Sequence, residues 1–423
     1  MKNIWIIDHY SSEPQYGGYT RQYNFAKELS KSGFNVTVIV SSFSHFSHSY
    51  ITEKKVMINH ISENVRFIYN RTSSYHSNSS YKRFFGMVQF YKVIMRNCHN
   101  WEVAFGKPDY VIASSPHPFV WVAAEKIAKK FGGAFIAEVR DFWPLELKGV
   151  DDDFIHRTFY KLLEKLEDRA FEKACRIICT LPYGGRYICK KGFNPDKVCW
   201  IGHPLDCKKF DALATSRVQE LPKEIAKFME GKFVCVFTGY YMPYEGVYQM
   251  LEAAKETKSY NDIVYVFCGS GNEEKQMREY VKCNDLNNVL IYNRIDKSLI
   301  PALLCQSDIC LAYLVDDTGN QAFQYGLSKN KLNEYLYSGK ITVMGYDYLD
   351  NEVSKSKSGF VFNTTTNQFA RYIKEVYEMS EVARVTMGCN GKRYIYETHD
   401  ISVLTQKYVK LLQSIECDAN MVE

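Results

Sequence analysis

The sequence predicts a two-domain α/β protein in which each domain is a doubly wound, mainly parallel sheet. Three observations carry that expectation. At 423 residues the chain is too long for one ordinary core. Short β-branched runs alternate with amphipathic helical stretches through the first half, the pattern of a parallel sheet covered on both faces. The same alternation starts afresh at Phe233.

In the first half, residues 4–7 read as a strand. A Gly17-Gly18 turn leads into a helix over about 20–32, with Tyr23, Ala26 and Leu29 as its inner face and Gly33 at the C-cap. Residues 36–40 are a β-branched strand and 111–113 another, followed by Ser114-Ser115-Pro116-His117-Pro118 and a helix through Lys130. Residues 135–139 form a further strand. An amphipathic helix through Phe159, Leu162, Leu163, Leu166 and Ala170 comes next, and residues 177–179 close the set. In the second half, strands are expected at 233–237, 263–268, 289–292, 309–314 and 341–344. The domains are placed at 1–205 and 206–399, with a last helix at about 400–416 crossing back to the first.

A net charge of +5 with 24% charged residues argues against a nucleic-acid partner and fits acidic small ligands or an anionic membrane surface. The thirteen cysteines include no Cys-x-x-Cys pair, and Cys179, Cys235, Cys268 and Cys310 lie inside apolar runs. Buried free thiols in a reducing compartment are expected. With no secretory leader and no apolar run of about 18 residues, a cytoplasmic location is expected.

In open parallel sheets, ligands bind outside the carboxyl ends of the strands. The candidate segments fall there: Gly17-Gly18, Ser114 to Pro118, Arg140-Asp141, Gly239, Gly269-Ser270-Gly271 and Gly326 to Lys331. In the last, Ser328 is expected to cap a helix with Lys329, Asn330 and Lys331 at its start, which is either an ordinary capped surface helix or one whose free N–H groups and dipole form an anion site. Glu334 is placed to accept from the hydroxyls of a ribose. Gly269 and Gly271 leave room for a ribose or base, or make an ordinary turn. Arg140 and Asp141 read either as a loop brace or as groups holding an acceptor phosphate and hydroxyl. Asp151-Asp152-Asp153 fits a helix start better than a metal site. No zinc-type cluster is present and no metal is expected. The mixed basic and aromatic stretch 81–96 reads as a core helix with snorkelling cations, or as an interfacial helix on anionic lipid.

Ser114-Ser115-Pro116-His117-Pro118-Phe119 and Glu138-Val139-Arg140-Asp141-Phe142-Trp143-Pro144 closely resemble two segments of bacterial family-four glycosyltransferases. The nearest subgroup resembles the L-fucosamine transferases of O-antigen and capsule synthesis. Gly17-Gly18-x-x-Arg21 and Ser328-x-Asn330-Lys331-Leu332 resemble two more of its motifs, in the expected order over most of the chain. The resemblance implies a GT-B fold: two facing Rossmann-like domains with the active site in the interdomain cleft. It also implies retaining transfer from a UDP-sugar without a metal or cofactor, to a lipid-linked or saccharide acceptor. His117, Lys331, Arg140 and Asp141 would then be catalytic. Gly239, Gly269, Gly271, Ser328, Asn330, Lys331 and Glu334 would bind the donor, and Gly17, Gly18 and Arg21 would form an acceptor or phosphate loop. This sequence departs from the family at Gly326, where a glutamate is usual, and at 239–246, which lacks the usual Arg and Lys. A nucleotide-sugar 2-epimerase of the same build and a non-catalytic sugar-nucleotide-binding partner protein are the alternatives.

Overall fold

The computed structural model describes residues 1–75, 81–146, 154–315, 321–348 and 350–420. The chain divides into two compact units. The first comprises Met1–Pro204, Asn320–Ser328 and Ile401–Glu423, and the second Leu205–Gly319 and Lys329–Asp400.

The first unit holds β1 (Lys2–Asp8), β2 (Phe34–Ser41), a two-residue hairpin of β3 (Phe43–Ser44) and β4 (Ser49–Tyr50), β5 (Val56–Ser62), β6 (Val65–Asn70), β7 (Tyr110–Ser114), β8 (Ala134–Val139), β9 (Arg176–Cys179) and β10 (Val198–Trp200). Its main sheet has the order β10-β9-β8-β7-β1-β2-β6-β5 and is parallel apart from the antiparallel edge strand β5. Successive residues of each strand enter opposite cores. Ile4, Ile6, Val36, Val38 and Ile112 pack against Phe25 and Leu29 of helix Arg21–Lys31 and against Leu404, Tyr408 and Leu412 of helix Ile401–Asn420. Trp5, Ile7, Ile39, Val111 and Ala113 pack on the other face with Phe90, Ile94 and Trp101 of helix Tyr81–Phe105. A strand buried on both sides needs a continuous apolar run, which is why these strands were legible in the sequence.

The second unit holds β11 (Phe233–Tyr240), β12 (Ile263–Ser270), β13 (Val289–Tyr292), β14 (Ile309–Leu314), β15 (Ile341–Tyr346) and β16 (Gly359–Phe362). They form one parallel sheet of order β13-β12-β11-β14-β15-β16. In each sheet the order reverses once, between β7 and β1 and between β11 and β14. Those reversals are where the following loops part and leave room for a ligand.

Several expectations need correction. The inner face of helix Arg21–Lys31 is Gln22, Phe25, Ala26 and Leu29, with Tyr23 only half-buried. In helix Phe154–Lys173, Leu163 and Ala170 are buried as read, but Leu162 is 45% exposed and lies off the stripe. Among the described residues the cysteines are free, and Cys179, Cys235, Cys268 and Cys310 are buried. Asp151 to Asp153 lie outside the described residues.

Candidate active site

Each sheet carries candidate residues on its own carboxyl edge. In the first unit they cluster at the reversal between β7 and β1. His9 follows β1 and His117 follows β7. The His9 Nδ1 and His117 Nε2 atoms are 2.9 Å apart in a buried hydrogen bond. His117 is 1% exposed, and its Nδ1 has no hydrogen-bond partner among the described residues. Burial, reinforced by the Arg83 guanidinium, pushes the His117 pKa down to about 3. Burial likewise lowers His9 well below the usual histidine value, with His117 and Arg83 adding to the effect. Both rings are therefore neutral at pH 7, and the Nδ1–Nε2 hydrogen bond couples their tautomers, one ring donating and the other accepting.

Next along the edge, Arg140 follows β8. Its Nη1 lies 3.4 Å from Asp8 Oδ2, and its guanidinium stacks 4.5 Å from the Tyr19 ring centroid. Burial raises the Asp8 pKa against the lowering effect of Arg140. Burial also acts to lower Arg140, but Asp8 and Asp141 outweigh it and leave its pKa raised. Ser115 Oγ accepts from the Arg140 N–H at 2.8 Å and, more weakly, from Asp141 N–H at 3.5 Å, so one hydroxyl fixes the turn that presents both residues. Asp141 is half-buried, whereas Arg140 is 5% exposed.

The Arg21 guanidinium is engaged within the protein. Its Nη2 and Nε donate to Glu138 Oε2 at 3.0 and 3.2 Å, and its guanidinium also donates to the carbonyls of Ile201 and Gly202. Gln22 and Ser114 donate to the other Glu138 oxygen. Arg21 opens its helix on the inner face, so it braces the sheet under the loop. Gly17 and Gly18 themselves are exposed at φ +70 and +90.

In the second unit the edge is built around Lys331. Helix Asn330–Tyr337 starts two residues later than Ser328, and its N-cap position is Lys329 with no side-chain cap. Ser328 groups with the first unit instead, and its buried Oγ has no hydrogen-bond partner among the described residues. The reason lies just upstream. The Tyr183 N–H donates to the Tyr325 carbonyl at 3.0 Å, and the Tyr325 ring packs on Phe142 and Tyr187, which draws this stretch to the first unit.

The helix is pinned to β11 through Tyr335, whose hydroxyl accepts from the Thr238 N–H at 2.7 Å. One turn earlier, that anchoring sets the Lys331 ammonium 4.6 Å from the Phe237 ring centroid and beside Gly239, where a Cβ would lie 3.6 Å from Nζ. Lys331 forms a buried ion pair with Glu245, in the loop after β11. Burial lowers the Lys331 pKa and Glu245 offsets part of that. Glu334 has a side chain only 16% exposed, with Lys297 at 3.8 Å. Burial raises its pKa despite that neighbour. Asn330 is exposed at the helix start.

Gly269 and Gly271 each lie against neighbouring backbone. A Cβ on Gly269 would fall on the Gly239 carbonyl oxygen, and one on Gly271 on the Tyr241 backbone. Gly239 pairs with Gly269 in the β11–β12 register, so these glycines let two chain segments approach closely.

Two residues escaped the sequence reading. Glu245 lies in a loop noted only for cations it lacks. His9 directly follows Asp8 at the end of β1, the position that strand-end logic singles out, and was passed over. Among the described residues, no group of three or more His, Cys, Asp or Glu is placed to hold a metal ion, and no helix is long and apolar enough to cross a membrane.

Known families and structures agree with this architecture. The family Glycosyltransferase Family 4 matches residues 17–209, and Glycosyl transferases group 1 matches residues 218–394. No curated protein matches the chain. Among solved structures, sucrose-phosphate synthase from Thermosynechococcus elongatus superposes with a TM-score of 0.69 at 13% identity, covering 99% of this chain and 100% of that one. HepE of Anabaena, solved in complex with UDP and glucose, gives 0.67 at 14% identity over 97% and 99%. WaaG, a glycosyltransferase of lipopolysaccharide biosynthesis, gives 0.65 at 13% identity over 97% and 99%. The chain thus belongs to the GT-B glycosyltransferase superfamily. It is an enzyme, a glycosyltransferase.

Proposed function

We propose that the protein is a retaining, metal-independent glycosyltransferase of surface-polysaccharide synthesis. It moves an N-acetylhexosamine or related deoxy sugar from a UDP-sugar to a lipid-linked or saccharide acceptor, in the manner of the L-fucosamine transferase subgroup. The observation that carries this reading is Lys331, a buried ammonium at the head of a helix on the carboxyl edge of β11. A desolvated cation beside free helix N–H groups stabilises a departing diphosphate as a metal ion would. Activity is accordingly expected to survive chelation by EDTA.

The second unit binds the donor, with Lys331 at the diphosphate, Asn330 at the helix start and Glu334 at the ribose. The first unit serves the acceptor and the transferred sugar through His117, Arg140, Asp141 and the Gly17-Gly18 loop. In the transfer, the acceptor oxygen attacks the anomeric carbon on the leaving-group face while the bond from that carbon to the β-phosphate oxygen breaks. The departing UDP takes the acceptor proton, so configuration is retained.

The Tyr81–Phe105 helix supports a peripheral location on the inner face of the cell membrane. It buries Met87, Phe90, Ile94 and Trp101 and leaves Lys82, Phe85, Lys92 and Arg96 exposed on the opposite side. Replacing Lys82, Lys92 and Arg96 with Glu should abolish sedimentation with anionic vesicles, at about 1 kcal/mol or more per charge. Undiminished sedimentation would remove the membrane role.

A panel of UDP-sugars, assayed for UDP release with and without lipid extract, tests the function. Slow release from one donor, stimulated by extract, is expected. Isomerised sugar would instead make the protein an epimerase, and tight binding without turnover a sensor.

A further inference from the structure

We propose that Glu245 is a built-in counter-ion that occupies the phosphate seat of Lys331 and is displaced by the incoming nucleoside diphosphate, so that it sets donor affinity. This rests on the reading of Lys331 as the diphosphate group.

The Lys331 side chain is 16% exposed and its partner carboxylate 9%. A cation so desolvated requires an anion at all times, because stripping one partner from a buried pair is strongly destabilising. Around the ammonium, Phe237 offers only a ring face and Gly239 only backbone. Glu245 is the one carboxylate among the described residues in contact with it. The backbone of its turn is held, with Tyr241 N–H donating to the Ser270 carbonyl and the Tyr244 carbonyl accepting from Val315 N–H, so the carboxylate leaves the lysine by rotation of its own side chain. Glu245 ends a single 3-10 turn, Pro243–Glu245, reached through Gly239 at φ +150 and left through Gly246 at φ +67. The opposite end of the pair is fixed, because Tyr335 ties the lysine helix to Thr238. With both backbones anchored, a change of Glu245 rotamer is what would free the ammonium for a diphosphate. A diphosphate then meets a preformed cation whose charge is already balanced. The apparent affinity is lowered by the fraction of molecules in which Glu245 is seated. The same pairing keeps Lys331 charged and placed while the site is empty.

UDP binding by calorimetry to the full chain tests this with three variants. Glu245→Gln should tighten UDP about tenfold while lowering the melting temperature of the empty protein, a combination that a purely structural brace does not give. Glu245→Asp, one methylene shorter, should move UDP binding in the same direction by less, and serves if the glutamine variant does not fold. Lys331→Ala should weaken UDP at least tenfold, and adding Glu245→Gln to it should change nothing further. Unchanged or weaker UDP binding in both Glu245 variants, with Lys331→Ala still impaired, overturns the counter-ion alone. Tightening that persists without Lys331 also overturns it, because the carboxylate would then merely repel phosphate. UDP binding indifferent to Lys331→Ala overturns the donor-site reading beneath it.

Discussion

The carboxyl edges of the two sheets both bury ion pairs, but only the first adds a pair of neutral imidazoles. On the first, His9 and His117 are held neutral by burial, and the arginines Arg21 and Arg140 face the carboxylates Glu138 and Asp8. On the second, Lys331 keeps an ammonium under apolar cover with one carboxylate beside it. Neutral imidazoles and anchored arginines suit hydroxyl recognition and the handling of a proton. A cation with a detachable partner suits an anion that arrives and leaves. Under the proposed function, this difference in charge state would separate the acceptor side from the donor side.

The largest effect belongs to the second edge. Lys331→Ala should lower kcat by about 10²- to 10³-fold, the usual consequence of losing one preorganised stabiliser of developing charge. Circular dichroism should show a folded protein with a lowered melting temperature, because Glu245 is left buried without its partner. Wild-type turnover in this variant would erase the contrast, since the second edge would then hold its cation for structure alone.

A smaller effect, of about ten- to a hundredfold, is expected from the histidine pair of the first edge. His9→Phe removes the group that orients His117 and should cost that much in kcat/KM. His9→Asn, whose amide reaches the place of Nδ1, should recover most of it. The pair also predicts a pH signature. His117 titrates near 3 when folded and near 6.5 when unfolded, so between those values the unfolded chain binds the extra proton. Its contribution to stability is whole above pH 6.5 and is lost as pH falls toward 3, by about 1.4 kcal/mol for each pH unit within the window. Denaturant titrations should show that slope flattening in His117→Phe. A slope indifferent to the substitution would mean the pair is not held neutral, and the two edges would differ less than described.

How much of this was legible beforehand follows the same line. Runs such as Ile4 to Ile7 and Phe233 to Phe237 announce strands because both faces are buried. β5 and β6 were missed, the former because its alternating exposure dilutes the apolar signal. His117 was found because a histidine between prolines at a strand end is conspicuous. The Lys331–Glu245 pair joins residues far apart in the chain, and no local spacing encodes it. The partners of Arg21 were equally illegible: its guanidinium reaches Glu138 and the Ile201 carbonyl, far along the chain, because a sequence shows residue type and not the direction a side chain takes.

The smallest expected effect separates a loop that meets ligand from one that only turns. Gly17 sits at φ 70 and ψ −177, a region essentially reserved for glycine, and a Cβ there would meet nothing within 4 Å. Gly17→Ala therefore carries only backbone strain, about 1–3 kcal/mol, and denaturant unfolding should register it. At Gly269 the obstacle is the Gly239 backbone itself, so alanine there must force β11 and β12 apart and should destabilise more. If the loop touches acceptor or sugar, Gly17→Ala will also lower kcat/KM beyond what the unfolded fraction accounts for. A loss that tracks stability alone would leave Gly17 a turn residue and narrow the first edge to His9, His117 and Arg140.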